Sequence, residues 1–324
     1  TRSDRDWSSD VCSSDLNIII AFLDFSTYLS KMYSSRTAWL LLSPTLIILG
    51  LAGLVPFFYV LYIGFFNWNP LGVNDQMEFI SLGDNYRKLV FDNEFIASVW
   101  RSIRFAVVTL FFELTLGFLL ALSLLSSFPL KSFFRSVHTL PLVIAPIVIG
   151  SIFKLFTVQG FGPLPHFLND WFGYDLNYGR SAAQAFWLIV IMDIWHWTPF
   201  VTLTLLAGLS ALPQDPYESA RIDGANNFQI LIYITIPMMI PVLIVVIFIR
   251  LMDSLKIVDE VWMLTGGGPG YATRFTGIHI WKEVFEKRFY GYSSAMSILY
   301  LYVTIVMCWL LYSVMVSRGK SDDE

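Results

Sequence analysis

Charge is scarce in this 324-residue chain. Asp, Glu, Lys and Arg together make up 14%, against about 25% in an ordinary globular protein. The scarcity excludes a disordered or collagen-like chain and leaves too little polar surface to cover a soluble one of this length. Basic residues are not in excess: 21 Lys and Arg face 25 Asp and Glu, for a net charge of −4. A surface that seeks nucleic-acid phosphates is therefore not expected. Cysteine occurs twice, as Cys12 and Cys308 at opposite ends, which excludes a disulfide scaffold. The four histidines (His138, His166, His196 and His279) are scattered and make no metal-binding spacing. No nucleophile elbow GxSxG and no phosphate-cradling GxxxxGK[ST] loop is present. The GKS at Gly319–Ser321 has Val314 where the first Gly belongs and lies three residues from the end. No cofactor, metal or catalytic residue is expected, and any nucleotide must be bound by another polypeptide.

Apolar residues fill the space that charge leaves: 56% of the chain is hydrophobic and 17% aromatic, with a mean hydropathy of +0.61. A spanning helix needs about 20 mostly apolar residues. Six stretches qualify: 38–66, 105–130, 136–153, 181–213, 228–249 and 289–317. Only Glu113 and Asp193 interrupt them with charge. The sequence thus predicts an all-α polytopic protein with six spans in a lipid bilayer. Long polar connections (67–104, 154–180, 250–288) alternate with short ones (127–135, 214–227). Lys31, Arg36, Lys131, Arg135, Arg221, Arg318 and Lys320 concentrate on the short-connection side. Lys and Arg favour the cytoplasmic side, so both termini are expected inside.

The chain divides into residues 1–31, a non-native or disordered extension, then 32–104 with the first span and a long loop, 105–317 with five spans, and a cytoplasmic tail at 318–324. Residues 1–16 have no apolar core that a signal peptide would need. They resemble a translated sequencing adapter, and a native start near Met32 is expected.

The most informative connection runs from Leu212 to Asn227, LPQDPYESARIDGANN. Asp215 is placed to cap a short helix, with Pro216 at its first position and Glu218 at the reciprocal capping position. Gly224, Asn226 and Asn227 should end that helix and return the chain to the bilayer. Taken alone, the segment could be a plain helical connection. Its spacing, however, resembles the EAA signature of ABC importer permeases: Glu218-Ser219-Ala220, then Gly224, then Ile234-Thr235-Ile236-Pro237. Ser219 replaces the middle Ala and Ile236 a Leu. The resemblance implies a type I importer permease fold (MetI-like) and a coupling helix, 215–224, that sits in a cleft of a separate ATPase dimer. Glu218 would cap the helix or pair with an Arg of that ATPase, Gly224 would allow close backbone approach, and Arg221 and Asp223 would be rim charges.

A second segment, Leu264–Thr273 (LTGGGPGYAT), resembles the TxGGP segment of carbohydrate importer permeases, the maltose-type and glycerol-phosphate-type group. The stretches Trp39–Pro44 and Trp197–Phe200 fit the same group. Without that resemblance, Gly266–Gly270 reads as a flexible turn. With it, Gly266, Gly267, Gly268 and Pro269 would lie in an outer loop that shapes the pathway or meets a binding protein. The resemblance implies an inner-membrane subunit of a prokaryotic, ATP-driven, binding-protein-dependent importer for a sugar or sugar derivative. Its partners would be a second homologous permease, the ATPase dimer and an extracytoplasmic solute-binding protein.

Acids inside spans are costly and face a cavity or a partner. Asp193 and Trp197, four residues apart, share one helical face while Trp195 points elsewhere. A carboxylate beside an indole suits a sugar, since hydroxyls bond the acid and the ring stacks on the apolar sugar face. Asp193, Trp197 and Glu113 are thus candidate pathway residues, and a structural bond to a neighbouring helix is the alternative. An ion-coupled secondary transporter would show repeated halves with broken helices, and no internal repeat is evident. A membrane enzyme would need a polar cluster at one depth, for which Asp193 with His196 is thin.

Overall fold

The computed structural model describes residues 35–72, 76–81 and 83–320. The expectations for residues 1–31, for a start at Met32 and for the last four tail residues lie outside these. The helices are α1 Ser35–Ile63, α2 Asp84–Val90, α3 Asn93–Leu125, α4 Lys131–Val143, α5 Pro146–Thr157, α6 Pro163–Phe172, α7 Ala182–Ser210, α8 Asp215–Ile222, α9 Asn227–Ile230, α10 Ile236–Leu255, α11 Asp259–Leu264, α12 Thr276–Phe285 and α13 Tyr290–Lys320. Two short strands, β1 Phe66–Asn67 and β2 Glu78–Phe79, pair antiparallel with Phe66 opposite Phe79.

Among the described residues, five helical segments are long and apolar enough to cross a bilayer, beginning at Trp39, Asn93, Ala182, Asn227 and Tyr290. The sixth candidate is the pair α4 and α5, bent by 99° at the break between them. The apolar run 136–153, which Pro141 and Pro146 interrupt, is thus divided between two helices. Ile144 and Ala145 are extended between the halves. Pro141 cannot donate a backbone hydrogen bond, and Pro146 starts a new helix where its missing N–H costs nothing. The second span also begins twelve residues before its apolar run, at Asn93. Asp92 caps it by accepting from the amides of Glu94 and Phe95 at 2.9 and 3.2 Å.

Internal contacts divide the chain between Val60 and Leu61. Within the part from Leu61 onward, one apolar cluster joins Phe105 of α3, Ile149 of α5, Ile189 and Met192 of α7, and Val261 of α11. A second joins Ala121 of α3, Val201 and Leu205 of α7, and Met239 and Val246 of α10. Where α3 crosses α7 there is room only for glycine: a Cβ on Gly117 would lie 2.6 Å from Val201 Cγ1. Small residues at such crossings let two backbones approach, which strengthens packing in lipid, where no hydrophobic drive brings helices together.

Candidate coupling loop and membrane cavity

The loop between α7 and α10 is closed by its own backbone. Helix α8 starts one residue earlier than the sequence suggested: Gln214, not Asp215, is its N-cap, and no side chain caps it. The amides of Tyr217 and Glu218 donate to Gln214 O, at 3.0 and 3.1 Å. Asp215 and Glu218 therefore sit in the first turn, where their charge complements the positive end of the helix dipole without a capping bond. The C-terminal end is a Schellman motif: Ala225 N–H donates to Ala220 O at 2.9 Å and Gly224 N–H to Arg221 O at 3.1 Å. That geometry puts Gly224 at φ +79°, with open space around its missing side chain. Within this chain Gly224 serves its backbone conformation rather than close approach.

Asn226 does more than end the turn. Its side chain accepts from Gln229 N while Gln229 Oε1 accepts from Asn226 N, both at 2.9 Å, a capping box that starts α9. The chain then passes through a π-turn at Leu231–Thr235. Pro237 lacks the N–H that a regular helix would send back to Tyr233, and the helix widens just before it, with Ile236 N–H donating to Leu231 O. Tyr217 Oη donates to Thr235 Oγ1 at 3.2 Å and ties the stub to this turn.

No residue of α8 is buried. Glu218, Ser219, Arg221 and Asp223 are exposed, and their side chains make no hydrogen bond or ion pair among the described residues. Three apolar side chains the sequence reading passed over share this region: Ile222, 85% exposed, with Phe228 and Tyr233. A hollow of about 300 Å³ beside them is lined by Asp223, Gly224, Gln229, Ile230 and Tyr233 among others.

Deep between the spans, Arg250 of α10 brings the two intramembrane acids together. Its Nε and Nη2 donate to Glu113 Oε2 and Oε1, both at 2.7 Å. Nη2 also donates to Asp193 Oδ2 at 3.0 Å, and Nη1 to Asp253 Oδ2 at 2.8 Å. The guanidinium carbon lies 4.5 Å from the ring centroid of Trp197. Arg250 and Glu113 are fully buried and Asp193 nearly so. Such charges persist in a low-dielectric interior only when paired and hydrogen-bonded. A forked guanidinium facing a carboxylate satisfies both groups. The sequence reading missed Arg250 because a basic residue just after an apolar run looks like a membrane-interface residue.

Asp193 and Trp197 face a cavity of about 250 Å³, together with Pro146, Asp253, Lys256, Ile257, Val258, Asp259 and Glu260. Glu113 does not line it. Trp195 points to a separate apolar groove with Phe112, Leu116 and Trp187. Glu260 is 2% exposed. Its Oε1 lies 2.5 Å from His196 Nδ1, and its Oε2 has no hydrogen-bond partner among the described residues.

The glycine-rich loop follows α11 and is closed rather than open. Thr265 Oγ1 and Thr273 Oγ1 are 2.7 Å apart, and Thr273 Oγ1 donates to Gly268 O at 2.7 Å. Gly266 and Gly267 adopt positive φ, +59° and +93°. Arg101 Nε donates to Arg274 O at 3.1 Å, and Thr276 N donates to Ser102 Oγ at 2.9 Å, which fastens the end of this loop to the start of α3. Nearby in α12, His279 is buried with neither ring nitrogen partnered among the described residues, and burial pushes its pKa below the usual histidine value.

Residues 113–316 match the family described as binding-protein-dependent transport system inner membrane component. The chain belongs to this family. A probable ABC transporter permease protein of Sinorhizobium fredii is 31% identical over 291 residues, 89% of this chain and 92% of that protein. The trehalose/maltose transport system permease protein of Thermococcus litoralis is 34% identical over 238 residues, 74% of this chain and 80% of that one. The crystal structure of a bacterial ABC transporter that imports the acidic polysaccharide alginate contains a chain of the same fold. It matches with a TM-score of 0.72 at 20% identity, covering 87% of this chain and 96% of that chain. This permease is accordingly an inner-membrane transport subunit rather than an enzyme, with the all-α, MetI-like architecture that the EAA resemblance implied.

Proposed function

We propose that this permease forms half of the translocation path of an ATP-driven importer for a sugar or sugar derivative, and that a separate ATPase dimer grips it at residues 215–224. A second homologous permease would complete the path, and an extracytoplasmic solute-binding protein would deliver cargo. Both termini and α8 lie on the cytoplasmic side in this reading. The observation that carries it is α8 itself: a stub with no buried residue, locked at one end by a Schellman motif and fastened to the next helix through Tyr217 and Thr235. A segment so fixed and so exposed can pass a push to α7 and α10. ATP-driven closure of the ATPase dimer would supply that push and rock the spans between inward- and outward-facing states. Glu218, Arg221 and Asp223 offer charges to the partner, and Ile222 an apolar knob.

Sugar as cargo is supported by the relatives. Besides the trehalose/maltose protein, a probable starch degradation products transport system permease of Thermoanaerobacterium thermosulfurigenes is 29% identical over 85% of this chain. Asp193 and Trp197 would meet the cargo at the cavity, Glu113 would hold Arg250 in place behind them, and the Gly266–Pro269 loop would face the pathway or the binding protein.

The test is uptake in vesicles holding the assembled complex. Transport should require the ATPase subunit and should be abolished by Glu218→Lys combined with Gly224→Val while the subunits still co-purify. Uptake driven by an ion gradient without the ATPase would overturn the proposal.

A further inference from the structure

The cavity between α5, α7 and α11 is lined by four carboxylates, Asp193, Asp253, Asp259 and Glu260, and by one ammonium, Lys256. Lys256 is 70% exposed and stands 3.8 Å from Asp253 Oδ1. The neighbouring cation, Arg250, has four of its five N–H donors engaged by carboxylates of this chain in this arrangement. Its Nε, Nη1 and Nη2 are taken by Glu113, Asp253 and Asp193, and Trp197 covers one face of its guanidinium. Glu260, by contrast, is buried and has an oxygen, Oε2, with no partner among the described residues. The wall thus offers acceptors, an indole and negative potential, and no unengaged buried cation.

From this we infer that the cavity takes uncharged, hydroxyl-rich cargo and turns away sugars that carry a carboxylate or phosphate, with Asp253, Asp259 and Glu260 setting that selectivity. The inference rests on the reading of this cavity as part of the cargo path. Hydroxyl groups donate to carboxylate oxygens and gain charge-assisted bonds. A sugar phosphate or uronate would leave water to meet mostly like charge, and the one ammonium in the wall, Lys256, already stands beside Asp253. Discrimination by such repulsion is as effective as attraction to the right guest. The volume, about 250 Å³, limits the buried contact to one or two sugar rings at a time.

The test places a thiol in the wall: Val258→Cys, with Cys12 and Cys308 replaced by serine, in the assembled importer. Cationic and anionic methanethiosulfonate reagents are compared, each normalised to its rate with free 2-mercaptoethanol. A cleft of one charge sign concentrates counter-ions by about tenfold or more, so the normalised cationic rate should exceed the anionic by at least that factor. The ratio should fall toward unity when Asp253→Asn, Asp259→Asn and Glu260→Gln are combined. Equal normalised rates in the unneutralised protein, or a ratio the neutralising substitutions do not lower, would overturn the inference. A separate arm adds trehalose or trehalose 6-phosphate under turnover conditions. If trehalose slows modification of the introduced thiol and the phosphate does not, the selectivity is supported; slowing by both overturns it. If neither slows modification while the charge ratio holds, it is the cargo-path reading of the cavity that fails, and the selectivity inference falls with it.

Discussion

Arg250 is the group whose removal should damage this permease most. It is fully buried and holds Glu113, Asp193 and Asp253 at 2.7 to 3.0 Å. Arg250→Ala would leave two buried carboxylates, on α3 and α7, facing each other with no counter-charge. Breaking a buried pair by deleting one partner costs about 3–5 kcal/mol. Deleting the acid instead is milder. In Glu113→Gln the guanidinium keeps Asp193 and Asp253, and the amide oxygen can still accept from it, so the loss is about 1–3 kcal/mol, that of weakened charge-assisted hydrogen bonds. The double variant Glu113→Gln, Arg250→Met should recover part of the arginine deletion, because Asp193 is then the one buried carboxylate left without its partner, Asp253 being partly exposed. Reversible unfolding of the purified permease by titrating SDS into neutral-detergent micelles would give the three values. The reasoning fails if Arg250→Ala unfolds within about 1 kcal/mol of the parent, since a buried charge pair broken on one side cannot cost so little, or if the double variant is no more stable than Arg250→Ala.

Two further consequences concern packing and pH. Gly117→Ala would push a Cβ to 2.6 Å from Val201 Cγ1 and 3.2 Å from Thr202 N, an overpacking that costs about 1–3 kcal/mol. Adding Val201→Ala should return part of it in the same detergent titration, and a neutral Gly117→Ala would contradict the close crossing. His279 is held neutral by burial, so its folded pKa lies below the ordinary 6.5. The unfolded chain then binds the extra proton first, and stability is full above pH 6.5 and declines as pH falls below it. Melting curves from pH 8 to 5 should show this decline in the parent and a shallower one in His279→Phe; parallel profiles would refute it.

The lipid-spanning architecture was legible because an apolar run of sufficient length has few alternatives in water. The end of α8 was legible too, since Gly224 at positive φ is what a Schellman motif asks for. What escaped were choices between near-equal local signals. Asp215 and Gln214 compete for one cap position, and backbone geometry selected Gln214. The Asn226–Asn227 pair reads equally as a stop and a start, and Gln229 decided for a start. Pro141 and Pro146 announce a bend but not one of 99°. The Arg250 cluster was hidden for a different reason. Its partners Glu113 and Asp193 are 137 and 57 residues away, and only tertiary packing reveals that a charge after an apolar run points inward.

Everything mechanical in this account depends on which protein touches α8. A photoactivatable phenylalanine analogue at position 222, in place of the 85%-exposed isoleucine, can be illuminated in the assembled importer with and without ATP. The account predicts an adduct with the ATPase subunit, changed in yield by the nucleotide. Adducts confined to lipid, to the second permease or to the solute-binding protein would contradict it.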